Sequence, residues 1–523
     1  MNIFKRILGK RKKNISQINF NNEEWVQFKL SGDIRDNISR LCHIMNQPSD
    51  LKSREFSLAG GSRKAATLFI STVANEDMIQ EHILKPLIME STAAIGKGRI
   101  SFEEIKDSMI SADKVKVVYT FDEIVMGIMS GETLLTIQGY DKGLLIDTKG
   151  YQGRTVGEPA TEPSVKGPQE AFVEILRINI GLIRRRLLDP NLCIEMYKMG
   201  RRAKADYIIV YIKGIANGSL VDEIKNRLSK LDVDGQATTA QMVRMIVDRP
   251  NSIFPLIQVT ERPDKVVSAL SEGRVAILMN GNPEAVIAPT TFPILMQSSD
   301  DYYENWIVAS VIRMARLVGV FITALLPALY ISVTAFHPDM IPLNLVLSIT
   351  DSRTGVPFPA FVEALLMVFT LELLQEAGIR LPRIVGQTVS IVGGLVIGQA
   401  AVQAGIVSPI MVIVISITAV SSFTVPDYSL GLALRIARIP FIMLAVTLGI
   451  FGVAMGMIAG LIYIASLKSF GLCYLEPIST LYPADWKDSL LRAPMRSMRK
   501  RPEEMQPEDP IRMSTGKGGQ ENE

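Results

Sequence analysis

The residues that invite a chemical reading are polar groups set inside apolar stretches. Gln387, Gln399 and Gln403 lie in or at the end of one such stretch, residues 384–403, and the last two share a helix face at a four-residue spacing. Glu363, Glu372 and Glu376 lie in or just beyond another, residues 358–374, and Ser416, Thr418, Ser421 and Ser422 lie in a third, residues 406–425. An ionisable side chain in hydrocarbon is costly unless it faces protein or water, which makes such residues functional candidates. Carboxylates and amides at that depth suit ion conduction, because rings of polar groups can stand in for a cation's hydration shell. Gln387, Gln399, Gln403 and Glu363 therefore form the candidate ion path. For Glu363 a structural pairing within the chain stands beside that reading.

Other chemistry finds no carrier. Gly60-Gly61-Ser62-Arg63-Lys64 is glycine-rich and basic, but it lacks the P-loop spacing. Neither G-x-S-x-G nor H-E-x-x-H occurs in the sequence. Three cysteines and three histidines are scattered, which gives neither a disulfide framework nor metal-ligand spacing. His43 beside Cys42 reads as a packed helix neighbour. No nucleophile, base and stabiliser can be named together, so the expectation is a non-enzyme without cofactor or metal. A formal net charge of +3 makes no case for nucleic acid.

The elements that hold these residues follow from composition. Hydrophobic residues make up 48% of 523 and mean hydropathy is +0.23, too apolar for an ordinary soluble protein. The apolar runs all come after residue 300: 317–335, 358–374, 384–403, 406–425 and 440–465. Several reach the ~20 residues a helical span needs. No secretory signal precedes them, so the charged first 300 residues are expected in the cytoplasm. Five spans place Arg380, Arg383, Arg435 and Arg438 inside and leave the basic C-terminal tail outside. Four spans keep that tail inside, with 358–374 partly embedded. Arg313, Arg380 and Arg383 read as snorkelling side chains.

Small residues recur every four positions at Gly386, Ser390, Gly394 and Gly398, and again at Gly452, Gly456 and Gly460 with Gly449 nearly in line. Such stripes let helices approach closely, either within one subunit or between subunits around a pore. Arg184, Arg185 and Arg186 form a basic patch at a predicted helix end, suited to the macrodipole, to lipid headgroups or to an acidic partner.

The soluble half carries an internal repeat. At a constant offset of 142 residues Ile70 matches Ile212, Ala74 matches Ala216, Asn75 matches Asn217 and Glu81 matches Glu223. The offset continues through Val117/Val259, Asp122/Asp264, Gly131/Gly273 and Gly139/Gly281. Each copy reads as an α/β module: a strand, an Asn-containing turn, an amphipathic helix, a helix opened by Asp122 or Asp264 as N-cap, then a hairpin at the second glycine. Ser101-x-x-Glu104 adds a capping box. Residues 169–188 read as one long helix. The expected organisation is a basic tail (1–35), subdomain 1 (36–150), a Gly/Pro linker (151–168), subdomain 2 (169–300), a helical membrane domain of four to five spans (301–467) and a basic tail (468–523) whose last twenty residues are disordered. The fold class is thus an α/β cytoplasmic domain of two repeated subdomains followed by an all-α multi-span membrane domain.

Several stretches then resemble one family. They are VKGPQEAFVEILRINIGLIRRRLLDP from Val165, VTERPDKVVSALSEGRVAILMNGNP from Val259, DYYENW from Asp301, LLPALYISVTAFHPDMIP from Leu325, VPFPAFVEALLM from Val356 and LQEAGIRLPRIVGQTVSIVGGLVIGQAAVQAGIVSP from Leu374. In this order they are similar to the A subunits of GerA-type germinant receptors of endospore-forming bacteria, with Lys166 departing from the usual Arg. The resemblance implies two cytoplasmic α/β subdomains, a membrane domain and a place in the spore inner membrane. It implies as partners a transporter-like B subunit that binds nutrient and a lipoprotein C subunit. It also implies release of monovalent cations and then of calcium dipicolinate, with copies of the A subunit assembling into a homo-oligomeric nutrient-gated channel among membrane lipids. Two alternatives stay open: a paralogous A-like protein that amplifies germination with the dipicolinate channel, and a membrane transporter working alone.

Overall fold

The computed structural model describes residues 23–58, 63–89, 101–112, 114–150, 157–235, 238–380, 396, 398–479 and 485–513. Gly386, Gln387, Ser390, Gly394 and Arg383 lie outside them, as does the basic stretch before residue 23.

Two five-stranded antiparallel sheets organise the soluble half. The first holds β1 (Leu51–Ser57), β2 (Lys64–Ile70), β3 (Val115–Val118), β4 (Glu132–Ile137) and β5 (Gly143–Asp147) in the order β1-β2-β4-β5-β3. The second holds β6 (Leu192–Met199), β7 (Ala205–Ile212), β8 (Gln258–Thr260), β9 (Val275–Met279) and β10 (Ala285–Ala288) in the order β6-β7-β9-β10-β8. The two orders coincide when β6 is matched with β1. Central strands such as VAILM of β9 are buried along their whole length, because apolar clusters cover both faces of each sheet.

Positions paired by the offset take equivalent places. Asn75 accepts from Asp77 N and Asn217 from Ser219 N, each capping the helix that follows β2 or β7. Gly131 and Gly273 close matching helices with φ of 93° and 95°, a region that L side chains avoid. The capping box at Ser101 and Glu104 is formed.

Four local expectations are corrected. Asp122 and Asp264 are not N-caps: Thr120 and Arg262 hold that position, and Asp264 turns back to pair with Arg262 at 2.8 Å. The long helix shrinks to α1 (Leu176–Arg186), because Asn179 brackets Val173 with two hydrogen bonds and Phe172 N donates to the Glu261 carbonyl. The linker is not free: Glu162 anchors it, bound by Lys265 at 3.0 Å and by Thr260 at 2.7 Å, while most of residues 157–168 stay exposed. The N-terminal tail is shorter than expected, since Trp25 and Phe28 pack against the first subdomain's core and Leu30 is part of it.

Beyond residue 300 the chain is helical: α2 (Trp306–Phe336), a short helix Leu343–Arg353, α3 (Ala360–Arg380), α4 (Pro409–Ser422) and α5 (Tyr428–Ser466). Among the described residues, α2 and α5 are long and apolar enough to cross a membrane. The 14 residues of α4 span about 21 Å, short of the ~30 Å hydrocarbon core.

The expected span 440–465 is corrected, because α5 is not one rod. Gly449 has φ 62° and ψ −142°, and the helix folds back there. A Cβ placed on Gly456 would lie 2.7 Å from Leu444 and 3.1 Å from Phe441; a straight helix would hold residues 441 and 456 roughly 22 Å apart. Both arms therefore start and end beside the soluble half, where Leu430, Leu434 and Leu467 join Phe254, Leu256 and Tyr474 in one buried cluster. Gly449 sits at the opposite end, against Phe336 and His337.

The C-terminal segment also returns to the soluble half. Arg501 donates to the Ser271 carbonyl at 2.9 Å, and Glu508 N to the Ile215 carbonyl at 3.0 Å. Glu504 and Met505 are buried, so the disorder expected from residue 504 is corrected as far as residue 513. A path with five crossings would put this segment and the soluble half on opposite sides, so that reading is withdrawn.

Candidate functional site

Glu363 lies in the first turn of α3, at the end of the bundle remote from the soluble half, and is fully buried. Its Oε1 is 3.2 Å from Arg353 Nη2, and its Oε2 accepts from Ser408 N at 2.9 Å. Ser408 is the N-cap of α4, so the carboxylate sits where free N–H groups and the helix dipole favour negative charge. The pairing reading of Glu363 is therefore realised within the chain. Gln399 and Gln403 lie in the helical run 398–403, and both are exposed on the outside of the bundle. Among the described residues, Glu363 is thus enclosed by its own chain while both amides face outward. Thr418 and Ser422 spend their hydroxyls on the carbonyls of their own helix.

Arg435 and Arg438 were expected in a loop, yet both lie inside the first arm of α5. Arg435 Nε pairs with Glu372 at 3.2 Å. Arg438 is completely buried; its Nε donates to the Thr323 carbonyl at 3.1 Å, and both Nη atoms lack a partner among the described residues. Thr323 Oγ1 is buried and unpartnered beside it. Sequence position gave no signal for this, because arginine near a span reads as interfacial.

The glycine stripe at Gly452, Gly456 and Gly460 packs within one chain, facing Leu444 and Phe441 across the fold in α5. Gly398 is less crowded: among the described residues a Cβ there would meet only Val412, at 3.8 Å.

The junction between the halves is a buried charge network that the sequence reading missed. Asp301, from the DYYENW stretch, accepts from Arg313 at 3.0 Å and from Arg316 at 2.7 Å. Arg313 also reaches Asp488 at 3.0 Å, and Tyr302 donates to the same carboxylate at 3.0 Å. Arg492 donates to the carbonyls of Asp301 and Glu304. Snorkelling of Arg313 is thus corrected: it is 4% exposed and binds three segments together. Burial pushes the Asp488 carboxyl up against the pull of Arg313. Nearby, burial lifts Glu504 to about 8, with Arg274 pulling down and Asp485, Glu272 and Glu476 pushing up.

The basic patch is likewise absorbed by the chain. Arg184 is 1% exposed and grips Asp50 through two bonds of 2.6 and 2.7 Å, joining the two subdomains. Arg185 and Arg186 both bind Glu170. Among the described residues, no cluster of His, Cys, Asp or Glu could hold a metal ion.

Comparison with known proteins places this geometry in context. Residues 39–504 match the family model described as Bacillus/Clostridium GerA spore germination protein. Spore germination protein B1 of Bacillus subtilis (strain 168) is 40% identical over 484 residues, covering 92% of this chain and 99% of that protein. Spore germination protein GerLA of Bacillus cereus is 36% identical, over 92% of this chain and 97% of its own length. An uncharacterized membrane protein, YfkQ of Bacillus subtilis (strain 168), is 38% identical over 90% of this chain and 91% of its own. A crystal structure of the N-terminal domain of the A subunit of the Bacillus megaterium spore germinant receptor GerK3 aligns with a TM-score of 0.41 and 28% identity, covering 51% of this chain and 98% of that one.

Proposed function

The chain belongs to the Bacillus/Clostridium GerA spore germination protein family, and from that premise we propose that it is the A subunit of a nutrient germinant receptor in the spore inner membrane. It acts without catalysis, beside a transporter-like B subunit that holds the nutrient and a lipoprotein C subunit. Its soluble half, two copies of one ancestral module, faces the cytoplasm. Copies of the chain assemble so that the faces carrying Gln399 and Gln403 meet and line a cation path. Nutrient on the B subunit biases a two-state packing of the helices and opens that path.

The observation that carries the finer reading is the outward placement of Gln399 and Gln403. The bundle interior offers a cation little, because Glu363 is paired and Arg438 is a buried positive charge. A polar path between copies meets neither obstacle. Dipicolinate release from spores tests this. Deleting the gene should abolish the response to one nutrient class and spare a non-nutrient trigger. A Gln399→Leu/Gln403→Leu chain should reproduce that loss while still reaching the membrane. Normal germination of the double variant would remove the amides from the path. General slowing toward all nutrients after deletion would point to an amplifying role instead.

A further inference from the structure

Where the helices meet the soluble half lies a cavity of about 760 Å³, within the ~300–1,000 Å³ typical of small-molecule sites. One side is hydrocarbon: Leu371 and Leu374 of α3, Phe423 after α4 and Leu432 of α5. Three bases also line it, and each is already neutralised. Arg262 pairs with Asp264 at 2.8 Å, Lys265 with Glu162 at 3.0 Å and Arg435 with Glu372 at 3.2 Å.

Three further polar groups on its wall present oxygens with room for another donor. Asp427 lines the cavity and has no ion pair among the described residues; its Oδ1 accepts from Leu430 N at 2.8 Å, capping α5. Burial pushes its carboxyl up to about 6, against the Leu430 hydrogen bond and Lys265, with Glu162 adding to the rise. Gln375 Oε1 and Ser299 Oγ line the same space and are buried without partners among the described residues. Such atoms are costly to leave bare and gain from any donor that reaches them.

One carboxylate outside any ion pair among the described residues, two oxygens without partners there and a hydrocarbon wall define a complement: several N–H donors, one positive charge and an apolar body. We propose that this cavity binds a small organic ammonium carrying a hydrocarbon group, with the ammonium at Asp427, Gln375 and Ser299 and the hydrocarbon against Leu371, Leu374 and Phe423. Because the walls come from both halves, occupancy stabilises the junction as well. The proposal concerns the purified chain and stands or falls apart from the germination reading.

The test is calorimetric titration of the full chain in detergent with phenethylammonium chloride. 2-Phenylethanol and 3-phenylpropionate of similar size serve as controls. Saturable binding of the ammonium is expected, with the alcohol about ten-fold weaker, since a charge-assisted contact is lost, and the carboxylate weaker still. Asp427→Asn retains an oxygen for the Leu430 N–H; it should cost the ammonium about ten-fold and leave the alcohol unchanged. If that variant melts abnormally, Gln375→Leu replaces it, with about a three-fold loss expected. Equal binding of ammonium and alcohol, unchanged affinity in both variants, or no saturable binding by a cooperatively melting wild type would each overturn the proposal.

Discussion

Two arginines buried in the helical half meet their surroundings in opposite ways. Arg313, at the junction, is held by the carboxylates of Asp301 and Asp488. Arg438, inside the bundle, has one bond to a carbonyl and two nitrogens without partners. A buried charge held by two carboxylates fixes its neighbours, even with Arg313 Nη2 left over, because any movement breaks bonds that water cannot replace. A starved one gains from any movement that brings an acceptor. Glu372, bound to Arg435 one turn earlier, lies near enough to act on Arg438 and is the acceptor at hand. The contrast separates a joint tied by two carboxylates from a bundle whose buried cation is short of acceptors.

Breaking the joint should have the largest effect. Arg313→Met leaves Asp301 and Asp488 buried without their shared base, and should cost about 3–5 kcal/mol, read as a lower melting temperature of the full chain in detergent. A melt like wild type would erase the contrast. Arg438→Met should do the reverse: removing an unpaired buried cation in favour of an apolar chain is neutral or stabilises by ~1–4 kcal/mol, while spores carrying it lose their nutrient response. A loss of stability like that of Arg313→Met would show Arg438 to be as firmly held.

Glycine replacement sharpens the picture within the bundle. A Cβ on Gly452 would lie 2.3 Å from the Leu444 carbonyl oxygen, whereas one on Gly398 would be 3.8 Å from Val412. Gly452→Leu should therefore destabilise by roughly 1–3 kcal/mol through overpacking, and Gly398→Leu by clearly less in the same melting assay. The reverse order would mean that the fold in α5 is not packed as described.

The smallest effect is a slope. Glu504 titrates near 8 in the folded chain, against about 4.3 unfolded. The folded state thus holds the extra proton between those values, and its contribution to stability declines as pH rises through that window. Glu504→Gln should flatten that part of a stability-against-pH curve. An unchanged curve would mean that the carboxyl is better solvated than its burial indicates.

What was legible in the sequence was local or periodic. The division near residue 300 follows from hydropathy, and the offset pairs predicted the Asn-containing turns and the glycine turns, which depend on a few neighbouring dihedral angles, but placed caps at Asp122 and Asp264 and not at the asparagines. What escaped was long-range. Arg184 meets Asp50 across 134 residues and Arg313 meets Asp488 across 175, and a basic residue carries no mark of which distant acid will take it. The fold in α5 escaped for another reason: a hydropathy window records how apolar a stretch is but not its direction, so 440–465 read as one span across the turn at Gly449. Glu363 was located as a candidate, but its partners Arg353 and Ser408 come from separate segments and only the folded chain identifies them.

The most direct test of the central claim is cross-linking through Gln403→Cys, in a chain whose Cys42, Cys193 and Cys473 have been replaced, within spore membranes. The account predicts that oxidation links copies of the chain through that position, because the amide-bearing faces meet. A chain that reaches the membrane, melts normally and stays uncross-linked would contradict it.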